Sequence, residues 1–228
     1  MKEKKKILLV GCKNWAKSVV YILKEKYDII TAGEEPECNI FLPLNPDSDW
    51  KEKINDIKNL DGLVNIGKIA ELNGLIETPA NKWKNIVNEN LQIIYKSIKV
   101  FSGSLNSWGS IVNLLEIGQM EGLGGALIYD AFKKESEVVT KSLAYQLAEQ
   151  KIRVNSIRAG YTDTEENTNA AESKLKEIYL KNAEKVIPMR SINKIDDIVN
   201  LIVFLLNEES RLITGNVINL DGGVSTKG

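Results

Sequence analysis

The chain has 228 residues, 43% of them hydrophobic and 27% charged, with a net charge of -1; this suits one domain over 1–228 and leaves no basic footprint for nucleic acid. It contains no histidine, so histidine triads, histidine bases and histidine-ligated metals are excluded, and no metal site is expected. Cys12 and Cys38 show no Cys-x-x-Cys spacing, the apolar run after the basic start MKEKKK is too short for a signal peptide, and runs such as LIVFLL (201–206) are too short to span a membrane, so a cytoplasmic protein is expected.

Lys6–Val10 (KILLV) reads as a buried strand. Asn14–Lys26 reads as a helix with Asn14 as its N-cap. Tyr27–Thr31 and Cys38–Leu42 read as the second and third strands. Only AGEEPE (32–37) separates them, too little for a full crossover helix, so the second crossover helix is expected to be shortened or absent. Asp49–Leu60 reads as a short helix and Gly62–Ile66 as the fourth strand. Pro79 can open a helix running to Phe101.

Ser110–Leu115 is the expected fifth strand, Leu127–Gln150 a long helix, and Ile152–Ile157 the sixth strand. Gly160–Asn169 is polar and irregular, and the polar segment Tyr161–Glu172 is expected to cover the site as a lid. Ala170–Val186 and Ile195–Leu206 read as helices, and Asn216–Leu220 as the last strand, ending in Asp221-Gly222-Gly223. This alternation predicts an α/β fold, a doubly wound parallel sheet of Rossmann-like type in a single domain. Ligands of such sheets bind beyond the C-terminal ends of the strands. The residues to inspect are therefore Gly11–Ser18, Ala32–Glu35, Pro43, Gly67–Lys68, Glu116–Leu127, Ala159–Thr164 and Asp221–Gly223.

Tyr129 and Lys133 stand four residues apart at the start of the long helix, and so share one face. A lysine beside a phenol favours the phenolate, which makes tyrosine a usable acid or base near neutral pH. The pair alone is weak evidence, since about one is expected by chance in a chain of this composition. Its context is more specific: it follows GSIVNLLE and leads into IRVNSIRAGYTDT and ITGNVINLDGG.

With WKNIVNENL (83–91), 109–164 and 187–223 taken together, the chain resembles the short-chain dehydrogenase/reductase family over nearly its whole length. The resemblance implies an NAD(P)-dependent oxidoreductase of alcohols and carbonyls. It implies that Tyr129 exchanges the proton on the substrate oxygen. Lys133 would lower the tyrosine's pKa and bind the nicotinamide ribose, and Asn90 would hold a proton-relay water. The family's PGxxxT turn matches Ala159, Gly160 and Thr164, with the proline lost. Gly11 matches the first glycine of TGxxxGxG, and Asn65-Ile66-Gly67-Lys68 stands where the family has NNAG. The cofactor would be NAD or NADP, the substrate a small molecule, and the assembly a homodimer or homotetramer.

The departures cluster on the dinucleotide side. The other two glycines of the turn are Trp15 and Lys17. A tryptophan there should obstruct or fill the pyrophosphate cradle, whereas Lys17 and Lys13 could neutralise a pyrophosphate. Gly33 replaces the acidic residue that ends the second strand, although Glu34 and Glu35 are near, and Pro43 replaces an aspartate. On the substrate side, the family's active-site serine is Glu116, thirteen residues before Tyr129. A serine donates a hydrogen bond, and an ionised glutamate only accepts.

Three readings follow. The first is an NAD(P)-linked oxidoreductase acting through Tyr129, Lys133 and Asn90. The second is an enzyme with no cofactor, in which Glu116 and Tyr129 form an acid–base pair for elimination, isomerisation or cyclisation. The third is a non-catalytic subunit that keeps the fold and its oligomer surfaces.

Overall fold

The computed structural model describes residues 3–11, 16–43, 50, 56–67, 93–116, 126–163, 177 and 180–226; of Glu116 and 126–134 it describes the backbone. The strands are β1 (Lys6–Val10), β2 (Asp28–Gly33), β3 (Ile40–Phe41), β4 (Leu60–Ile66), β5 (Leu105–Glu116), β6 (Arg153–Ala159) and β7 (Val217–Leu220). The helices are α1 (Ala16–Lys26), α2 (described over 93–101), α3 (Ala126–Leu147), α4 (described over 180–186) and α5 (Ile195–Leu206).

Among the described residues the strands form one sheet in the order β3-β2-β1-β4-β5-β6-β7, and all six pairings are parallel. The strand order reverses between β2-β1 and β4-β5, which is the switch point of a doubly wound sheet. Alternate strand residues supply two cores. Ile7, Leu9, Val64, Val112, Leu114 and Ile157 pack with α1 and α5. Leu8, Val10, Leu63, Ile111 and Val154 pack with α2 and α3. Burial on both faces accounts for the nearly continuous apolar runs KILLV and IVNLL.

No helix occupies 34–39, as the short spacing predicts. The Cys38 N–H donates to the Glu35 carbonyl at 3.0 Å. Asn39 Oδ1 accepts the Thr31 N–H at 2.9 Å, and the Asn39 N–H donates to Thr31 Oγ1 at 3.1 Å. These contacts fold the link back onto β2, and β3 then needs only two residues.

Two expectations are corrected. The short helix over Asp49–Leu60 does not reach Leu60. Residues 57–59 are irregular, Asn59 has φ 58°, and Leu60 opens β4. Asparagine tolerates the left-handed region, so the chain can turn at Asn59 directly into β4. Asp61 then accepts from the Lys6 N–H at 2.8 Å and from Asn106 Nδ2 at 3.0 Å, which ties the strand to both neighbours.

β5 also starts at Leu105, not Ser110. Leu105 pairs with Leu60, the register shifts, and pairing resumes at Gly62 with Ser110. The intervening Asn-Ser-Trp-Gly reads as a loop because its backbone bulges, with Trp108 at φ 68°. The Trp108 ring lies under the Arg211 guanidinium, 4.1 Å from its centroid, and Lys151 Nζ approaches to 5.5 Å.

Candidate active site

The described residues bring Gly11, Gly67, Glu116, Gly160 and Asp221 to one edge of the sheet, each at or just beyond a strand's C-terminal end. Gly11 follows β1 with φ 92° and donates its N–H to the Ala32 carbonyl at 2.9 Å. A Cβ there would stand 2.3 Å from the Ile66 carbonyl oxygen. Glycine is therefore required by the sheet itself, where β1 leaves between β2 and β4. The Gly67 N–H donates to the Leu114 carbonyl at 3.1 Å.

Lys17 lies in the first turn of α1, where its ammonium pairs with Glu37 of the β2–β3 link. The hydrogen bond from Lys17 is the main reason that the exposed Glu37 carboxyl is held below its ordinary range. Trp15, Asn90 and Thr164 lie outside the described residues, as do Lys13 and Lys68.

On the other side of the switch point, Glu116 ends β5 and pairs in register with Ala159, the last residue of β6. The Gly160 N–H donates to the Leu220 carbonyl at 2.8 Å. A Cβ on Gly160 would meet Asp221 Cβ at 2.8 Å, so this turn also needs glycine for close approach. Asp221 accepts from the Gly223 and Ser225 N–H groups at 2.9 and 3.0 Å, which closes the turn after β7. Tyr129 falls in the first turn of α3 and Lys133 in the second.

The segment that enters the polar stretch after β6 is anchored. Thr162 forms a parallel bridge with Asn193. The Asn193 N–H donates to the Tyr161 carbonyl at 2.9 Å, and Asn193 Nδ2 donates to the Leu220 carbonyl at 2.6 Å. Burial pushes the Tyr161 phenol above its ordinary range.

Sequence reasoning missed two features. The first is Arg158, 6% exposed, whose Nη1 donates to Asn219 Oδ1 at 3.2 Å. It puts a positive charge near the end of β6. The second is a polar row across the central strands: Asn65 pairs in register with Asn113, and Asn113 with Ser156. Asn65 Nδ2 donates to Asn113 Oδ1 at 2.8 Å. Asn65 Oδ1 is buried and has no hydrogen-bond partner among the described residues. Asparagine and serine at the centre of apolar strands (LVNI, VNLL, VNSI) were the available signal, since buried polar groups need partners.

Among the described residues no group of three Cys, Asp or Glu side chains could hold a metal ion, and no helix is long and apolar enough to cross a membrane.

The family model described as enoyl-(acyl carrier protein) reductase matches residues 48–225. The 3-oxoacyl-[acyl-carrier-protein] reductase of Staphylococcus aureus (strain Mu50) is 30% identical over 176 residues, covering 76% of this chain and 70% of that protein. The acetoacetyl-CoA reductase of Shinella zoogloeoides is 32% identical over 170 residues, covering 74% and 69%. Among solved structures, ElxO with NADP bound aligns at TM-score 0.80 and 25% identity, over 98% of this chain and 100% of that one. An oxidoreductase of the short-chain dehydrogenase/reductase family from Burkholderia thailandensis aligns at TM-score 0.82 over 100% and 95%; at 20% identity this likeness shows the fold alone.

Proposed function

We propose that this chain, which belongs to the short-chain dehydrogenase/reductase family of oxidoreductases, interconverts an alcohol and a carbonyl on a small molecule with a nicotinamide dinucleotide. The observation that carries the proposal is the placement of Tyr129 and Lys133 in the first two turns of the helix that follows β5. That helix start belongs to the sheet edge where the strands end.

The described residues fit a dinucleotide in two respects. Gly11, Gly67 and Gly160 keep side chains away from the strand ends. The link after β2 carries Glu34, Glu35 and Glu37, and carboxylates suit the diol of an adenosine ribose. Glu34 and Glu35 oppose a 2′-phosphate, and the ammonium of Lys17 beside them is engaged by Glu37. The cofactor proposed is therefore NAD rather than NADP. When bound, it supplies or accepts the hydride.

The chain's own residues do the rest. Tyr129 exchanges a proton with the substrate oxygen. Lys133 favours its phenolate and holds the ribose beside the nicotinamide. Asn90 holds a water that connects Lys133 to solvent. The relatives' names make 3-oxoacyl thioesters the first substrates to try, and a homodimer or homotetramer is the assembly proposed.

The test is NADH oxidation with acetoacetyl-CoA as the probe. Tyr129→Phe should lower turnover by roughly 100-fold to 10,000-fold. Retention of wild-type turnover in that variant would sink the assignment. A second reading, without cofactor, is favoured by one observation: a glutamate, not a hydroxyl residue, ends β5 opposite Ala159. It requires Glu116→Gln and Tyr129→Phe each to abolish a conversion that proceeds without nucleotide.

A further inference from the structure

The polar row does not stop at the sheet. Asn113 Nδ2 donates to Ser156 Oγ at 3.4 Å. Ser156 Oγ lies 2.6 Å from Thr140 Oγ1 on α3, and Thr140 Oγ1 donates to the Ser136 carbonyl at 2.6 Å. That last bond uses the only proton of the Thr140 hydroxyl. Ser156 must therefore be the donor in the hydroxyl–hydroxyl contact. Every bond then points the same way, from β4 through β5 and β6 into α3.

Ser136 and Thr140 are each 1% exposed. They continue one stripe of the helix: Tyr129, Lys133, Ser136, Thr140, Ala144 and Leu147 are spaced by four, three, four, four and three residues. Ala144 and Leu147 are also buried, at 4% and 7% exposure. Apolar contacts of this kind resist separation but set axial position weakly, because they have no direction. A hydroxyl pair in a dry interior sets it strongly, since a slip would leave a buried polar group unpaired. Thr140 is seven residues from Lys133, about 10 Å along a rod that moves as one piece.

We infer that Ser156 and Thr140 fix the axial register of α3 on the sheet and are positioning residues for Tyr129 and Lys133. The geometry stands by itself; the consequence for turnover rests on the proposed reaction. A displacement of about 1 Å at reacting groups is enough to lower a rate about 100-fold.

The test uses the full chain with acetoacetyl-CoA and NADH as the probe. Thr140→Val keeps the shape and removes the hydroxyl. It should lower kcat roughly 10-fold to 100-fold while KM stays within about twofold. Thr140→Ser restores the hydroxyl and should return kcat to within about threefold of wild type. Unchanged kcat in Thr140→Val, or no recovery in Thr140→Ser, overturns the inference.

If the wild-type protein does not turn over the probe, the proposed reaction fails and hydrogen exchange decides the positioning role. In Thr140→Val the amides of 129–136 should exchange at least about 10-fold faster, with those of β5 and β6 unchanged. Equal exchange in the two proteins overturns the inference as well.

Discussion

Gly11 packs against Ile66 too closely for any side chain: a Cβ on Gly11 would stand 2.3 Å from the Ile66 carbonyl oxygen, at φ 92°. The glycine at the end of β1 is thus a requirement of the β1–β4 junction before any ligand is considered. Gly11→Ala combines a left-handed strain with a backbone clash. It should destabilise the fold by about 2–4 kcal/mol in urea unfolding, with or without nucleotide. A variant as stable as the wild type would show that the junction can open.

Arg153 and α5 form the principal polar joint at the opposite end of the sheet. The Arg153 guanidinium, 6% exposed, donates to the Leu205 carbonyl at 2.7 Å, to Ser210 Oγ at 2.8 Å and to the Asn207 carbonyl at 3.3 Å. A cation at a helix C-terminus is favoured by the helix dipole. Burial lowers the guanidinium's pKa, though it remains charged at any ordinary pH. Arg153→Met should lower stability by about 2–4 kcal/mol in urea unfolding without changing nucleotide affinity. A loss of nucleotide affinity at full stability would mean that this end of the sheet reaches the site.

Stability should fall on the alkaline side. Burial, the larger effect, pushes the Tyr27 phenol above its ordinary value of 10.0; its hydrogen bond to Asn207 acts against this, and Glu209 adds to it. The unfolded chain loses this proton near pH 10 while the folded chain keeps it. The unfolded state then binds fewer protons, so stability is full below about pH 10 and decreases as pH rises above it. Tyr161 acts in the same direction. Urea midpoints between about pH 8 and 11 should decline less steeply in Tyr27→Phe than in the wild type. Identical slopes would remove Tyr27 from the account.

The sheet was legible because its strands are buried on both faces and so appear as apolar runs; β1, β4, β6 and β7 fall within two residues of their expected ends. The deleted crossover was legible from spacing alone, since six residues cannot form a helix that returns to the sheet. Only the end of the helix expected over Asp49–Leu60 was misplaced: Ile57 continues the helical spacing, but Asn59 takes a left-handed conformation and Leu60 already pairs with Leu105 in the sheet. At Gly62, a Cβ would meet Leu206 Cδ2 at 2.6 Å, a contact between residues far apart in sequence.

Of the proposed site, the strand ends were legible from the alternation of strands and helices, and so was the place of Tyr129 and Lys133 at the start of the helix after β5. The polar row was not, because Asn65, Asn113, Ser156 and Thr140 become neighbours only through the strand register and the docking of α3. Roles for Trp15, Asn90 and Thr164 belong to residues outside those described. The pairing of Lys17 with Glu37 crosses from α1 to the link after β2, and no local pattern announces it.

Nucleotide binding tests the central claim most directly. Calorimetric titration of the full chain should give a Kd for NADH below about 1 mM, with NADPH at least about 10-fold weaker because of the carboxylates after β2. Binding of neither nucleotide at millimolar concentration would contradict the assignment of this chain as a nicotinamide-dependent oxidoreductase.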